Sequence, residues 1–275
     1  MIFLFCYFFR VHNDYLWLTA AKAGKVSVVV CFLLFFTKQK TIRNLSPFRE
    51  DLRMTSRLLI AFFITSILCG VRGEVSQRLV IDTFSSNLTV NGCIPQGWYS
   101  SQQNVRMFSV VKDNGNCYVK VKSQGGNTSI GIRTNFDVHA YPLLSWKWRV
   151  HKLPKGAVEN VRKRSDSAAG VYVIFHGALK LNRIIKYVWS TSLQKGVVTE
   201  SPFNPNVKIV VLHSGNEVDL IGLWVNEIVN VEKDYKRLFG SKPPFIDAVA
   251  ILSDSDNTKS IAEADYDDFL ISAIK

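Results

Sequence analysis

From Arg78 onward, the chain alternates between apolar and polar residues in short runs that are separated by turn signals. "RLVIDTF", "MFSVVKD" (107–113) and "CYVKVKS" (117–123) alternate with a period of two, as half-buried strands do because successive side chains point to opposite faces. "NGN" between the second and third runs predicts a tight hairpin. Further strand candidates are "TSIGIRTNF", "LLSWKWRV", "AGVYVIFHG", "RIIKYVWST", "VKIVVLHSG", "LWVNEIVNV", "FIDAVAILSD" and "DFLISAI".

Helical periodicity is convincing in "NVEKDYKRLFG", where Gly240 suits a helix C-cap. The chain shows no internal repeat and no low-complexity linker. About eleven strand candidates and one short helix near 230–240 therefore predict a single all-β domain over residues 74–275, a β-sandwich of the jelly-roll kind.

The segment 54–73, "MTSRLLIAFFITSILCGVRG", has the composition of a secretory signal peptide. A short basic region ends at Arg57, an apolar stretch follows, and small residues lead to a cleavage site near Gly73. We therefore expect a periplasmic or secreted protein. Residues 1–53 are then interpreted as a non-native upstream extension, with translation starting at Met54. The alternative is a membrane-anchored N-terminus, with 26–36 or 58–71 as an uncleaved helix.

The net charge of +12 is unevenly distributed, because residues 1–73 contribute +7 and residues 74–275 only +5. The high pI therefore does not indicate a nucleic-acid partner. The stretch from Lys147 to Arg164 holds seven Lys and Arg and one acid, Glu159. It is interpreted either as a solvated loop or as a patch for an anionic envelope polymer or lipid head group. The loop "KLPKGAVENVRKRSDSAAG" (152–170) has no aromatic residues among its charges, whereas binding to single-stranded nucleic acid would favour them.

Two cysteines, Cys93 and Cys117, lie downstream of the leader. In an oxidising compartment they form a disulfide candidate. Two buried free thiols are the other interpretation.

Tryptophans in the strand candidates have two interpretations. Trp146 and Trp148 share one face of "SWKWRV", and Trp189 and Trp224 are candidates for the same face. They either fill the core or provide an aromatic platform for a sugar ring, and the core interpretation suits most of them. The candidate ligand-binding residues are Trp146, Trp148, Arg149, Asp166, Tyr172, Trp189 and Trp224.

Familiar catalytic motifs are missing from the sequence. It has no G-x-S-x-G, no H-E-x-x-H, no P-loop and no G-x-G-x-x-G, and its five histidines are scattered. We therefore do not expect an enzyme on sequence grounds.

Oxygen-bearing side chains are dense in "ILSDSDNTKSIAEADYDDF". The candidates for a metal or polar centre are Asp254, Asp256, Asn257, Asp267 and Asp268. Such residues cap turns, bind a cation such as calcium, or supply a carboxylate pair for glycoside hydrolysis, and we rank these interpretations in that order.

One member of the Asp267–Asp268 pair must face inward, because adjacent residues of a strand point to opposite sides. A buried carboxylate needs a partner, for which Arg149, Arg133, Lys186 or a metal are the candidates. We therefore predict that Asp254, Asp256 and one of this pair form a common centre.

Several segments together resemble the bacterial DUF3047 family, over about residues 78–275. They are "YPLLSWKWRVHKLPKG", "AAGVYVIF", "KYVWS", "VNVEKDYKRLFG", "PPFIDAVAILSDSDNT" and "AEADYDDFLI". The resemblance implies a carbohydrate-binding, galactose-binding-like jelly roll and no known reaction. Family members usually carry an acidic pair before the "AA" and an arginine after it; here Asp166 is kept, Ser167 replaces an acid and Gly170 stands where arginine is expected.

These observations favour an exported, non-catalytic binding protein of the cell envelope, whose ligand is a saccharide or an envelope polymer. The alternatives are a glycosidase-like hydrolase that uses the C-terminal carboxylates, and a structural or partner-binding envelope protein. We expect no nucleic-acid partner and no stable membrane span after residue 74.

Overall fold

The computed structural model describes residues 3–11, 14–23, 26–30, 77–86, 88–90, 92–100, 102, 105–177 and 181–274. The predicted signal peptide at 54–73 lies outside these residues. Contacts within the chain define two units, Met1–Gly73 and Glu74–Lys275.

The described part of the first unit is an antiparallel sheet of three strands, β1 (Phe3–Val11), β2 (Asp14–Ala23) and β3 (Val26–Val30). The alternative of an uncleaved helix over 26–36 is therefore wrong for residues 26–30, which are extended. The other candidate helix, 58–71, lies outside the described residues.

The second unit contains fourteen strands and one α-helix in its described part. They are β4 (Arg78–Asp82), β5 (Thr89–Val90), β6 (Ile94–Pro95), β7 (Phe108–Asp113), β8 (Asn116–Gln124), β9 (Ile130–Phe136), β10 (Leu143–Lys152), β11 (Ser167–Phe175), β12 (Arg183–Ser190), β13 (Val198–Glu200), β14 (Val207–Ser214), β15 (Val225–Asn230), α1 (Val231–Phe239), β16 (Ile246–Asp254) and β17 (Ile261–Ser272).

Two six-stranded sheets form a β-sandwich. The first sheet has the order β15-β10-β17-β8-β7, with β4 beside β17, and the second has the order β13-β14-β12-β11-β16-β9. Neighbouring strands are antiparallel except β12 and β14. From β8 to β11, and again from β14 to β17, successive strands alternate between the sheets. This alternation is the jelly-roll connectivity that we predicted.

The predicted hairpin joins β7 to β8, with Asp113 opposite Asn116. Asn114 and Gly115 have φ values of 48° and 85°. Two positive φ values at the centre of a two-residue loop are those of a type I′ turn, whose twist matches that of the strands.

The predicted helix is α1, the only α-helix among the described residues. The Asn230 side chain accepts a hydrogen bond from the Lys233 N–H at the N-terminus, and Gly240 ends the helix with a φ of 66°. Tyr235 is buried against Phe175, with ring centroids 4.5 Å apart. None of the helices in the described part of the chain has the length and hydropathy of a membrane-spanning segment.

The core between the sheets is rich in aromatic rings. Trp146, Trp148 and Trp189 are at most 1% exposed. Trp148 packs edge-on against both other indoles, with centroids 5.4 Å and 5.9 Å away. At the edge of the core, His213 of β14 forms polar contacts with two glutamates. Its Nδ1 lies 3.0 Å from Glu217 Oε2, and its Nε2 lies 2.8 Å from Glu227 Oε1 of β15.

Candidate functional site

The outer face of the first sheet carries a dense network of charged side chains. Along β10, the partly exposed Arg149 and His151 alternate with buried residues. Asp265 lies opposite Arg149 on the neighbouring β17. Asp265 Oδ2 accepts hydrogen bonds from Arg149 Nε (2.8 Å) and Nη2 (2.6 Å), and lies 2.7 Å from His151 Nε2. A carboxylate held on two sides is fixed in orientation.

Two aromatic rings flank this network. Trp224 precedes β15 and Tyr118 lies on β8; their centroids are 5.4 Å apart, with one ring edge-on to the other. The Arg149 guanidinium lies 4.6 Å from the Trp224 ring centre and 5.3 Å from that of Tyr118. Trp224 is half-buried, so part of its ring remains accessible. We call these five residues, Arg149, His151, Asp265, Trp224 and Tyr118, the charged face.

Asp265 has one unused acceptor. Its side chain is 1% exposed, and its Oδ1 atom has no hydrogen-bond partner in the described structure. Leaving a buried carboxylate oxygen unpaired costs free energy, because water no longer solvates it. Asp265 Oδ1 is therefore a buried acceptor that no donor among the described residues fills.

Ion pairs extend the charged face along both neighbouring strands. Lys120 of β8 contacts Glu263 at 2.7 Å, and Lys147 of β10 contacts Asp268 at 2.5 Å. Asp267 is buried and accepts a 2.8 Å hydrogen bond from Asn116 Nδ2. Burial raises the pKa of Asp267, although the Asn116 hydrogen bond opposes this rise.

A groove of about 330 Å³ continues along the same outer face, beyond Lys147. Its walls are more apolar than the charged face, and Ile228 is 70% exposed. The groove is lined by Arg78, Leu143, Ser145, Ile228, Leu270, Ser272, Ala273 and Ile274. The outer face thus combines a polar and aromatic end with an apolar one.

A second cluster lies at the second sheet, where β11 begins and β16 ends. Asp166 is fully buried and accepts four hydrogen bonds, from the backbone N–H and side chain of Asn257 and from those of Thr258, at 2.5–3.1 Å. Burial alone would raise the Asp166 pKa, but these four donors outweigh it and hold the pKa below its usual value. Asp166 therefore fastens the loop that joins β16 to β17.

Asp254 lies beside Asp166. Ser167 connects it to the buried side chain of Lys186. Asp254 Oδ1 accepts a 2.6 Å hydrogen bond from the Ser167 N–H, and Lys186 Nζ donates to Ser167 Oγ at 2.8 Å. Burial raises the pKa of Asp254 to about 6, even though Lys186 lowers it. Burial disfavours the charged form of Lys186, but Tyr172, Asp254 and Glu159 outweigh it and raise the Lys186 pKa.

We call the set Asp166, Asp254, Asp256, Ser167 and Lys186 the polar centre. Gly170 makes room for it, because a Cβ at this position would lie only 3.3 Å from Lys186 Cε. Tyr172, half-buried, borders it, with Lys186 Nζ 5.3 Å from its ring centre.

Calcium does not fit the polar centre well. Carboxylate oxygens of Asp166, Asp254 and Asp256 lie within 4.8 Å of one another. Both Asp166 oxygens, however, already accept hydrogen bonds, and the Lys186 ammonium supplies positive charge where a cation would. Calcium needs six to eight oxygen ligands that are free to coordinate.

The predicted common centre is wrong in one respect. Asp254, Asp256 and Asn257 do meet, but Asp267 and Asp268 belong to the other sheet and pair with Asn116 and Lys147. The acids are separated because β16 lies in the second sheet and β17 in the first, so that the loop between them crosses the sandwich.

Three of the predicted ligand-binding residues cannot contact a ligand. Trp146, Trp148 and Trp189 point into the core, because they occupy the inward positions of β10 and β12. Of the predicted ligand-binding residues, Trp224 and Arg149 meet on the charged face, whereas Asp166 and Tyr172 are at or beside the polar centre.

Of the two interpretations of the cysteines, the structure agrees with the free thiols. Cys93 and Cys117 are free thiols, and both pack into or against the hydrophobic core.

Sequence reasoning missed Tyr118, His151 and Asp265 on the charged face. The alternation of "EADYD" could have indicated Asp265, because Glu263, Asp265 and Asp267 share one side of a strand. It also missed Glu159, which is fully buried and accepts a 2.6 Å hydrogen bond from Ser190 Oγ.

Known structures with a similar outline include carbohydrate-binding modules. CBM29-2, in complex with cellulohexaose, is 9% identical, with a TM-score of 0.35 over 72% of this chain and 93% of that one. CBM27-1 of Caldicellulosiruptor saccharolyticus, with mannohexaose, is 10% identical, with a TM-score of 0.34 over 71% and 96%. The family 11 xylanase of Neocallimastix patriciarum is 12% identical, with a TM-score of 0.27 over 72% and 97%. These likenesses are too distant to assign a function.

No curated protein matches the chain significantly. The family described as "Protein of unknown function (DUF3047)" matches residues 96–270, which confirms the resemblance seen in the sequence motifs. Since this match covers more than half of the chain, the protein belongs to the DUF3047 family.

Proposed function

We propose that the protein is a non-catalytic saccharide-binding protein and that the charged face is its binding site. The observation that carries the proposal is the arrangement of Trp224 and Arg149 beside Asp265, whose buried Oδ1 has no donor among the described residues. A sugar offers apolar C–H groups on its ring faces and hydroxyl groups at its edge. An indole ring suits the C–H groups, and planar carboxylate and guanidinium groups suit the hydroxyls.

In this proposal the sugar ring packs on the accessible part of Trp224. One of its hydroxyl groups donates to Asp265 Oδ1, and Arg149 holds the carboxylate in place for that bond. A small side-chain movement admits the hydroxyl, since Oδ1 is covered in the unliganded protein.

The groove beyond Lys147 supports an extended ligand. It lies on the same outer face, and the ten residues of β10 span about 33 Å at ~3.3 Å per residue. This length exceeds a single sugar ring several-fold, so we propose an oligosaccharide or polymer rather than a monosaccharide.

The hydrolase alternative receives less support. A glycosidase needs two carboxyl groups on either side of the scissile bond. Asp166 and Asp254 are close enough, but both are at most 4% exposed and both already accept hydrogen bonds within the polar centre. We infer that these carboxylates stabilise the fold.

We also propose that the protein is exported and that its mature chain begins near Glu74. The boundary between the two contact units lies between Gly73 and Glu74, which supports cleavage there without loss of contacts inside the second unit. Mass spectrometry of the native protein tests the proposal. Peptides from residues 1–73 in the exported protein would contradict it.

Binding of a panel of oligosaccharides of different lengths tests the binding proposal. Trp224→Ala should weaken binding at least 30-fold, about 2 kcal/mol for an aromatic anchor of a binding site, and lower the thermal stability only modestly, by the loss of its contacts with Tyr118 and Arg149. Tyr99→Ala is the matched control, because Tyr99 is 45% exposed and contacts Arg133 rather than the charged face. A parent protein that binds no saccharide, or a folded Trp224→Ala that binds as the parent does, would refute the proposal.

A further inference from the structure

A second surface of the protein combines positive charge with exposed apolar side chains. Arg162, Lys163 and Arg164 form one 3-10 turn, and all three are exposed. Val161 and Phe203 beside them are 38% and 53% exposed. We call these five residues the basic–apolar patch.

The patch is preformed. Arg164 N donates to Val161 O at 2.7 Å, and Val158 N donates to Arg164 O at 2.7 Å, so the turn is closed by its own backbone. Phe203 comes from the loop between β13 and β14, and its ring centre lies 5.0 Å from the Arg162 guanidinium. Two loops that are distant in sequence therefore present one surface.

No acidic side chain pairs with the charges of this patch within the described structure. None of the ion pairs between described residues includes Arg162, Lys163 or Arg164. Three cations without an acidic partner among the described residues, beside an exposed aromatic ring, favour a partner that is anionic and apolar at the same time.

We propose that the basic–apolar patch docks the protein onto a membrane that contains anionic phospholipid. The phosphate groups complement the three cations, and Phe203 and Val161 enter the boundary between head groups and acyl chains. A soluble polyanion would satisfy the charges and leave the two apolar side chains in water, so lipid is the better match.

The docking is peripheral and separate from saccharide binding. The patch is built by the loops 153–166 and 201–206, whereas the charged face is built on β8, β10 and β17 of the first sheet and on Trp224. Loss of one activity therefore does not imply loss of the other.

Vesicle sedimentation with the full chain tests the proposal, using phosphatidylcholine vesicles with and without about 30% phosphatidylglycerol. Replacing Arg162, Lys163 and Arg164 together by Gln should lower partitioning onto the anionic vesicles about 100-fold, since each Lys or Arg near such a surface contributes ~1 kcal/mol, or fivefold. Phe203→Ser should lower it as well. Added salt should weaken binding of the parent.

The matched control replaces Lys112, Lys233 and Lys242 by Gln, which removes the same charge from exposed positions elsewhere. Equal losses in the two triple variants would overturn the proposal, because net charge would then explain the binding. A Phe203→Ser variant that partitions like the parent would also overturn it, and would favour recognition of any polyanion. Any partitioning contributed by residues 1–73 adds the same amount to every variant, so the fold-changes are calculated after subtracting the binding of a variant that lacks the three cations and Phe203 together.

Discussion

Replacing Lys186 by Met removes a buried ammonium group from the polar centre and keeps most of the side-chain volume. Lys186 is 5% exposed and Asp254 is 4% exposed. The substitution leaves the Asp254 carboxylate without its counter-charge in a place that water scarcely reaches. Breaking a direct buried ion pair costs about 3–5 kcal/mol. Lys186 and Asp254 are linked through Ser167 instead, so we expect a loss of about 1–3 kcal/mol at pH 7.5.

The loss should depend on pH, with a sign that follows from Asp254. Its pKa rises from 3.8 in water to about 6 in the folded protein, so the folded state binds a proton more tightly than the unfolded state. The stabilising contribution of this proton is complete below pH 3.8 and is lost as the pH rises through 6. In Lys186→Met, Asp254 takes up a proton even more readily, because the ammonium that lowers its pKa is gone.

Denaturant unfolding of the parent and of Lys186→Met at pH 7.5 and pH 5 measures this effect. We expect the loss at pH 5 to be no more than half of that at pH 7.5, and we expect Asp254→Asn to restore part of the stability of Lys186→Met. Lys236→Met is the control, since Lys236 is exposed on α1 and should change stability by about 0.5 kcal/mol or less. A loss below 1 kcal/mol at pH 7.5, or an equal loss at both pH values, would refute the reasoning.

Three further predictions concern other parts of the domain. Asp166→Asn should cost about 2 kcal/mol, because an amide cannot replace a carboxylate that accepts four hydrogen bonds. The cost should begin to shrink near pH 3.8, where the unfolded parent takes up a proton, and should vanish only below the lower pKa of the folded carboxyl; unfolding measured between pH 7 and pH 3 would reveal the start of this change. Trp148→Ala should cost about 3–5 kcal/mol, measured by thermal unfolding, and a small loss would contradict its place in the core. Cys93 and Cys117 should both react with a thiol reagent in unfolded, unreduced protein; protection of both would show that they are bonded.

The sequence predicted those features that depend on a few adjacent residues. The Asn114–Gly115 turn was predictable because few other pairs adopt two positive φ values. The helix α1 was predictable because its cap residues and its period of 3.6 lie within one segment. The inward direction of Trp146 and Trp148 followed from the period of two, once the core interpretation was chosen.

Pairings between distant segments were not predictable in this way. Asp254 and Asp267 lie close in sequence but on different sheets, because the loop after β16 crosses the sandwich. Lys186 was a candidate partner for the wrong carboxylate, since nothing local indicates that β12 is separated from β16 only by β11. The contact of Trp224 with Arg149 depends on the register of β15 and β10 for the same reason.

The position of β16 and β17 within the sheets has a consequence for how the chain folds. β17 lies inside the first sheet, where it pairs with β10, β8 and β4, and β16 lies between β11 and β9 in the second. Asn116 and Asp267, which these pairings bring together, are 151 residues apart in sequence. Neither sheet can therefore close until residues 246–272 have left the ribosome. Such long-range pairing makes folding slow, and slow folding suits the export that we propose, because translocation through a membrane channel requires an unfolded chain.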